Sequence, residues 1–151
     1  MESRLIKLLV IDDDPDIRGA IKQNFKRTGN YKVLTANGGI IGKIIASQKW
    51  HRPDIILLDI MMPDMDGFEV LRILRKNKQT AYVPIIMVTA KADCQSRVKA
   101  EGLYCDDYII KPVELSELKS RIEAVLAKRG IKVENYLKPT KTKSAPRLGG
   151  A

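Results

Sequence analysis

Four apolar runs in this chain each end on a residue suited to phosphoryl chemistry, and few folds accommodate that order. Leu8-Leu9-Val10-Ile11 leads into Asp12-Asp13, and Ile55-Ile56-Leu57-Leu58 leads into Asp59. Ile85-Ile86-Met87-Val88 leads into Thr89, and Tyr108-Ile109-Ile110 leads into Lys111-Pro112. The run before Asp59 has no polar alternation, as expected of a central parallel strand covered on both faces. If the four runs are neighbouring parallel strands, three carboxylates, a hydroxyl and an ammonium meet at one sheet edge.

The segments between the runs read as helices. Asp16–Thr28 places Ile17, Ala20, Ile21, Asn24 and Phe25 on one face at helical spacing. Gly29-Asn30 ends that helix, and Tyr31–Ala36 reads as a further strand. Ile40–Trp50 reads as a second amphipathic helix, stopped at His51-Arg52-Pro53 because the residue before proline leaves helical dihedrals. A third helix over Phe68–Asn77 buries Val70, Leu71 and Leu74, and Asp93–Gly102 is a short helix with a thin apolar face. Asp107–Ile110 is the fifth strand, and Leu115–Arg129 turns Leu118, Ile122, Val125 and Leu126 inward. Five strand–helix units with short connections predict an α/β fold with a doubly wound parallel sheet. In such sheets ligands bind beyond the carboxyl ends of the strands, where the five chemical residues collect.

A carboxylate attacking a phosphoryl donor meets like charge, and a hard divalent cation with oxygen ligands offsets it. Asp12, Asp13 and Asp59 supply the carboxylates for such an ion. Asp12 and Asp13 lie together and suit the metal, whereas Asp59 stands alone after the central strand and is assigned as nucleophile. Lys111 supplies a cation for developing phosphoryl charge, and the Thr89 hydroxyl suits a phosphoryl oxygen.

These residues lie in longer motifs: Val-Ile-Asp-Asp-Asp-Pro at 10–15, Arg-Pro-Asp-Ile-Ile-Leu-Leu-Asp-Ile-Met-Met-Pro-Asp-Met-Asp-Gly at 52–67, Val-Thr-Ala-Lys at 88–91 and Asp-Asp-Tyr-Ile-Ile-Lys-Pro at 106–112. From Leu5 to about Lys128 the chain resembles a response-regulator receiver domain of the two-component phosphorelay type, in its chemotaxis-type single-domain form. The resemblance implies a five-stranded (βα)5 flavodoxin-like sheet in the order 2-1-3-4-5. It implies Asp59 as phosphoacceptor, with Asp12, Asp13, Asp59 and the backbone carbonyl of Met61 holding Mg²⁺, or Mn²⁺ in its place. Thr89 would be the switch hydroxyl, Tyr108 the rotating aromatic and Lys111 the phosphoryl-binding lysine, with a cis peptide before Pro112. Met61 and Lys91 fall where the family tunes loss of the phosphoryl group. The implied partners are a sensor histidine kinase or phosphotransfer protein and an effector protein the motifs do not name, with the domain monomeric or dimerising on phosphorylation. The implied output is a change at the surface of helix 4, strand 5 and helix 5. Catalysis would be limited to the domain's own phosphorylation and dephosphorylation. The chain departs from the family in having Tyr104-Cys105 where Gly-Ala is usual, and Val113 where an aromatic is common.

Other readings of the acidic residues fail on particular positions. Asp12-x-Asp14-x-Asp16 begins like a calcium loop, but Ile17 stands where glycine is needed and Gln23 where the bidentate Glu belongs. An aspartyl-nucleophile phosphatase of the haloacid-dehalogenase type needs Thr where Asp16 stands. Asp14 and Asp16 are read as turn formers or caps, and His51 as a surface residue.

Composition bounds the remaining classes. The 151 residues suit one domain, and no apolar stretch approaches the ~20 residues of a membrane span, so a soluble cytoplasmic protein without membrane insertion is expected. Cys94 and Cys105 lack metal-ligand spacing and are expected to be reduced. The net charge of +9 is uneven: residues 128–151 carry +6. Residues 1–129 are therefore expected to form the domain, and 130–151 a basic, flexible tail or linker. The tail contains no DNA-reading helix or zinc motif, and the domain itself is not expected to bind nucleic acid. Two hypotheses follow: a stand-alone phosphoacceptor, or the receiver portion of a longer regulator with a DNA-binding or enzymatic module beyond residue 151.

Overall fold

In the computed structural model, which describes residues 4–90 and 94–136, strands and helices alternate along the chain. The strands are β1 (Ile6–Ile11), β2 (Tyr31–Ala36), β3 (Ile55–Asp59), β4 (Ile85–Thr89) and β5 (Asp107–Ile110). The helices are α1 (Pro15–Thr28), α2 (Gly39–Ser47), α3 (Gly67–Lys76), α4 (Cys94–Ala100) and α5 (Leu115–Lys128). All strand pairs are parallel, in the order β2-β1-β3-β4-β5. The chain folds as a doubly wound (βα)5 sheet.

Side-chain alternation along the strands divides the core into two layers. Leu9, Ile11, Ile56, Leu58, Ile85 and Met87 face the layer containing α3 residues Val70, Leu71 and Leu74 with Ala46 of α2 and Val98 of α4. Leu8, Val10, Ile55, Leu57, Ile86 and Val88 face Ile21 and Phe25 of α1 and Leu118, Ile122 and Leu126 of α5. Every residue of β3 and β4 is buried, because helices cover both faces of the central strands.

Local chemistry sets the helix ends. Asp14 caps α1 by accepting the Asp16 N–H at 2.8 Å, Pro15 opens the first turn, and Gly29 closes it in the left-handed conformation at φ 80°. Asp66 caps α3 by accepting the Glu69 N–H at 3.0 Å. Asp14 is thus a cap, and Asp16 an acid in the first turn.

Two expectations are corrected. The second helix stops at Ser47, and Trp50 belongs to a separate 3-10 turn at Lys49–His51. Its buried face is Gly39, Gly42 and Ala46, with Ile40, Ile41 and Ile44 outward, so periodicity identified a helix but not the face that packs. In α1, Ala20 is exposed; Ile21 and Phe25 carry the burial.

Beyond residue 129 the chain stays packed as far as Tyr136. Val133 is buried, Ile131 and Tyr136 pack against the α1–α5 layer, and the Asn30 side chain donates to the carbonyls of Val133 at 3.3 Å and Tyr136 at 2.8 Å. Apolar periodicity ends at Gly130, yet these few apolar residues suffice to dock six positions. The remainder of the expected tail, 137–151, lies outside the described residues, as does Lys91.

Candidate functional site

Parallel register brings the ends of β1, β3, β4 and β5 level. Ile11 pairs with Leu58, Asp59 with Val88, and Thr89 with Ile110, so Asp12, Asp59, Thr89 and Lys111 emerge at the same edge. Asp12, Asp13 and Asp59 offer ligand atoms within 4.8 Å of one another. The Lys111 Nζ lies 3.3 Å from an Asp59 carboxylate oxygen and 3.4 Å from one of Asp12. Asp12 and Asp59 are buried, whereas Asp13 is exposed at the rim.

Electrostatics make this edge short of positive charge. Burial pushes the Asp59 carboxyl from 3.8 up to about 6, and Asp12 adds to the rise. Lys111 and the Met61 backbone N–H oppose it without cancelling it. On Lys111, burial works against the charged form, but Asp12 and Asp59 outweigh it and raise the ammonium above its ordinary value. Three oxygen-bearing acids with one compensating cation fit a hard divalent ion, which takes carboxylate oxygens.

The supporting contacts are specific. Asp12 accepts the Asp14 N–H at 2.9 Å, and Arg18 donates to the Asp12 carbonyl at 2.8 Å, pinning the β1–α1 turn from α1. Thr89 is buried at the end of β4, and its carbonyl accepts the Lys111 N–H at 2.8 Å. The peptide between Lys111 and Pro112 is cis. Tyr108 is half-buried in β5 against the layer formed by α2, α3 and α4. Cys105 nearby is a buried free thiol that donates to the Asp107 carbonyl at 3.6 Å, with burial pushing it up.

Several residues here were not legible as functional from their types alone. The β3–α3 loop leaves Asp59 and doubles back, so that the Gly67 N–H donates to the Ile60 carbonyl at 2.8 Å. A Cβ at Gly67 would meet the Asp59 carbonyl oxygen and lie 2.7 Å from the Ile60 Cα, both of them backbone atoms. Asp64 in the same loop reaches across to α2, accepting from the N–H groups of Gly39 at 3.2 Å and Ile40 at 3.1 Å. Those bonds, the one from Ile40 foremost, hold the Asp64 carboxyl below its ordinary value. The Asp66-Gly67 pair signals a turn, but only the packed loop shows that glycine is needed against Asp59. Gly67→Ala is expected to cost about 1–3 kcal/mol by overpacking, readable by urea unfolding.

A family model described as the response regulator receiver domain matches residues 8–123. Among curated proteins, the chain is 38% identical over 120 residues to the DNA-binding dual master transcriptional regulator RpaA of Synechocystis sp., covering 80% of this chain and 48% of that one. It is 43% identical over 120 residues to the transcriptional regulatory protein AfsQ1 of Streptomyces coelicolor, covering 79% and 50%. With the alkaline phosphatase synthesis transcriptional regulatory protein PhoP of Bacillus subtilis it shares 37% identity over 125 residues, covering 83% and 50%. The chain spans about half the length of the curated relatives it matches. Among solved structures, a CheY-like receiver domain protein from Methanospirillum hungatei superposes with a TM-score of 0.74 at 30% identity, covering 83% of this chain and 97% of that one. Chemotaxis protein CheY4 of Vibrio cholerae gives 0.72 at 27%, covering 80% and 98%.

Proposed function

Because the chain belongs to the response-regulator receiver domain family, we propose that Asp59 accepts a phosphoryl group from the phosphohistidine of a sensor kinase or phosphotransfer protein. The observation that carries this reading is the buried Asp59 carboxylate, held at the strand edge 3.3 Å from Lys111 and beside Asp12 and Asp13. In the transfer an Asp59 carboxylate oxygen forms a bond to phosphorus, and the phosphorus–imidazole bond of the donor breaks. The imidazole leaves with the bonding electron pair, and Asp59 becomes an acyl phosphate. Above pH 6 the carboxyl is largely ionised and available as nucleophile.

Asp12, Asp13, Asp59 and the Met61 carbonyl would hold Mg²⁺, or Mn²⁺, which when bound would neutralise the repulsion between nucleophile and phosphoryl oxygens. Lys111, already within ion-pair distance of Asp12 and Asp59, would then pair with a phosphoryl oxygen of the product. Thr89, at the end of the adjacent strand, would donate its hydroxyl to another, and Tyr108 would rotate in response. Such a local charge change biasing a two-state element is how phosphorylation switches act. The surface of α4, β5 and α5 would carry the result to an effector. Chemistry at this site is limited to the domain's own modification and its loss.

The role of Asp13 is separately testable. Calorimetric titration of Asp13→Ala with Mg²⁺ is expected to show affinity reduced by about tenfold or more. Unchanged affinity would remove Asp13 from the ligand set.

A second reading is that the chain is the receiver portion of a longer regulator. The curated relatives are about twice as long and are named as transcriptional regulators. Immunoblotting of native cells with an antibody to this domain separates the readings. A band near 17.0 kDa fits the stand-alone phosphoacceptor, and one about twice that size fits the longer regulator.

A further inference from the structure

Helix α2 is built inside out. Its buried residues are Gly39, Gly42 and Ala46, whereas Ile40, Ile41 and Ile44 are 44%, 46% and 47% exposed. The reason is close approach. A Cβ at Gly42 would lie 2.6 Å from the Ile11 side chain, and one at Gly39 would lie 2.7 Å from Val70. Only small residues fit at positions 39 and 42, so Ile40, Ile41 and Ile44 turn outward while Ile45 packs partly against the core. Positions 40 and 44 are one turn apart and 41 adjoins both, which makes the three isoleucines a single patch. A contiguous apolar patch on the surface marks an interaction site.

Charge indicates what covers it. From Ile17 to Pro53 the sequence contains eight Lys and Arg residues and no Asp or Glu. Four of the eight lie on α1, across the sheet from α2, and the other four, Lys32, Lys43, Lys49 and Arg52, lie on the edge strand β2, on α2 and on the turn after it, where the acid against α2 is Asp64 at its N-terminus. Lys43 sits within α2, and Lys49 and Arg52 follow it; among the described residues none of the three is in an ion pair. The Lys49 ammonium lies 5.8 Å from the ring of Trp50, which is 79% exposed. A second copy would bring two such basic edges together against repulsion. The isoleucines have no π-face on which nucleic-acid bases could stack.

We propose that the outward face of α2 docks an amphipathic helix of a partner protein, its apolar side covering Ile40, Ile41 and Ile44 and its flanking carboxylates reaching Lys43 and Lys49. This is the helix-on-apolar-face mode of recognition with a charge rim that sets partner choice. It does not rest on the phosphoacceptor assignment, since none of these residues belongs to the strand-edge site.

The test uses the full chain and a synthetic helical peptide about five turns long, with leucines on one face and glutamates flanking them. Binding is followed by the emission of Trp50, the only tryptophan in the sequence. Saturable binding that weakens with added salt is expected. In the double variant Ile41→Ser/Ile44→Ser affinity should fall about tenfold or more. The variant should still be modified by acetyl phosphate and melt like the parent, since both positions face solvent. The proposal is overturned if the same peptide with lysines for glutamates binds equally well, or if the double variant binds as the parent does. It is also overturned if the patch residues instead mediate binding to phosphatidylglycerol vesicles, to duplex DNA or to a second copy of the chain.

Discussion

Asp59→Asn incubated with acetyl phosphate and Mg²⁺ is expected to gain no phosphoryl group, while the parent chain gains one by mass spectrometry. The side chain keeps its shape and burial but loses the anionic oxygen that would form the bond to phosphorus. Full labelling of the variant would move the phosphoacceptor elsewhere. The same substitution has a thermodynamic consequence of the opposite sign. Asp59 holds its proton more tightly folded than unfolded, with its carboxyl raised from 3.8 to about 6 by burial and by Asp12. The folded state therefore binds more protons between about pH 4 and pH 6, and stability falls as pH rises through that window. Above it the full penalty of the buried charge is present, on the order of 2–3 kcal/mol. Asn carries no charge and leaves Lys111 its pair with Asp12, so the variant should be more stable by about that amount at pH 7 without Mg²⁺. Its urea midpoint should also be flat between pH 4 and pH 6 relative to the parent's. Added Mg²⁺ should narrow the gap, because a ligand of the folded state stabilises the chain that binds it better. Parallel pH profiles for the two chains would show that the carboxylate is not held against its charge.

Arg75→Ala is expected to cost about 3–5 kcal/mol in urea unfolding, the largest loss among the variants considered. The Arg75 guanidinium, 12% exposed, donates to the carbonyls of Tyr104 at 3.0 Å, Ala81 at 3.0 Å and Val83 at 2.7 Å. It also lies 3.6 Å from Asp106, whose carboxylate accepts the Ile85 N–H at 2.8 Å and pairs with Arg129 at 2.9 Å. One side chain thus ties α3 to the start of β4, the loop before β5 and, through Asp106, the end of α5. Removing it leaves the part-buried carbonyls of Ala81 and Val83 without that donor and Asp106 with Arg129 as its remaining ion-pair partner among the described residues. Burial favours the neutral form of Arg75, with Asp106 opposing that tendency, so this cation depends on its acid as well. Arg75→Lys should recover little, since an ammonium cannot reach three carbonyls in the planar fork of a guanidinium. A loss below about 1 kcal/mol would assign the joint to packing instead.

How much was legible differs between elements for physical reasons. β3 and β4 announce themselves because strands buried on both faces need uninterrupted apolar side chains, and each run is ended by a polar residue, Asp59 or Thr89. α5 was legible in its inward residues, since Leu118, Ile122, Val125 and Leu126 are its only large buried side chains. The cross-loop bonds of Asp64 and the three-carbonyl grip of Arg75 were not. Each reaches outside its own element, Asp64 to α2 and Arg75 as far as Tyr104, and an acid in a loop or an arginine on a helix has the same composition whether or not it finds such partners. Residues 131–136 escaped as well, because docking a short stretch needs only Val133 and a few neighbours, too few to make a period.

The alternation of strands and helices, and therefore the gathering of Asp12, Asp13, Asp59, Thr89 and Lys111 at one edge, was written in the sequence. Parallel winding sends every strand's carboxyl end the same way, so whatever follows each apolar run must arrive together. The sense in which α2 faces the sheet was decided only by tertiary structure. In α2 the small residues Gly39, Gly42 and Ala46 lie on one side and Ile40, Ile41 and Ile44 on the other, with Ile45 partly buried between them. Hydropathy favours burying the bulky side. The space left by Ile11 and Val70 admits only the small one, and steric fit overrode the preference.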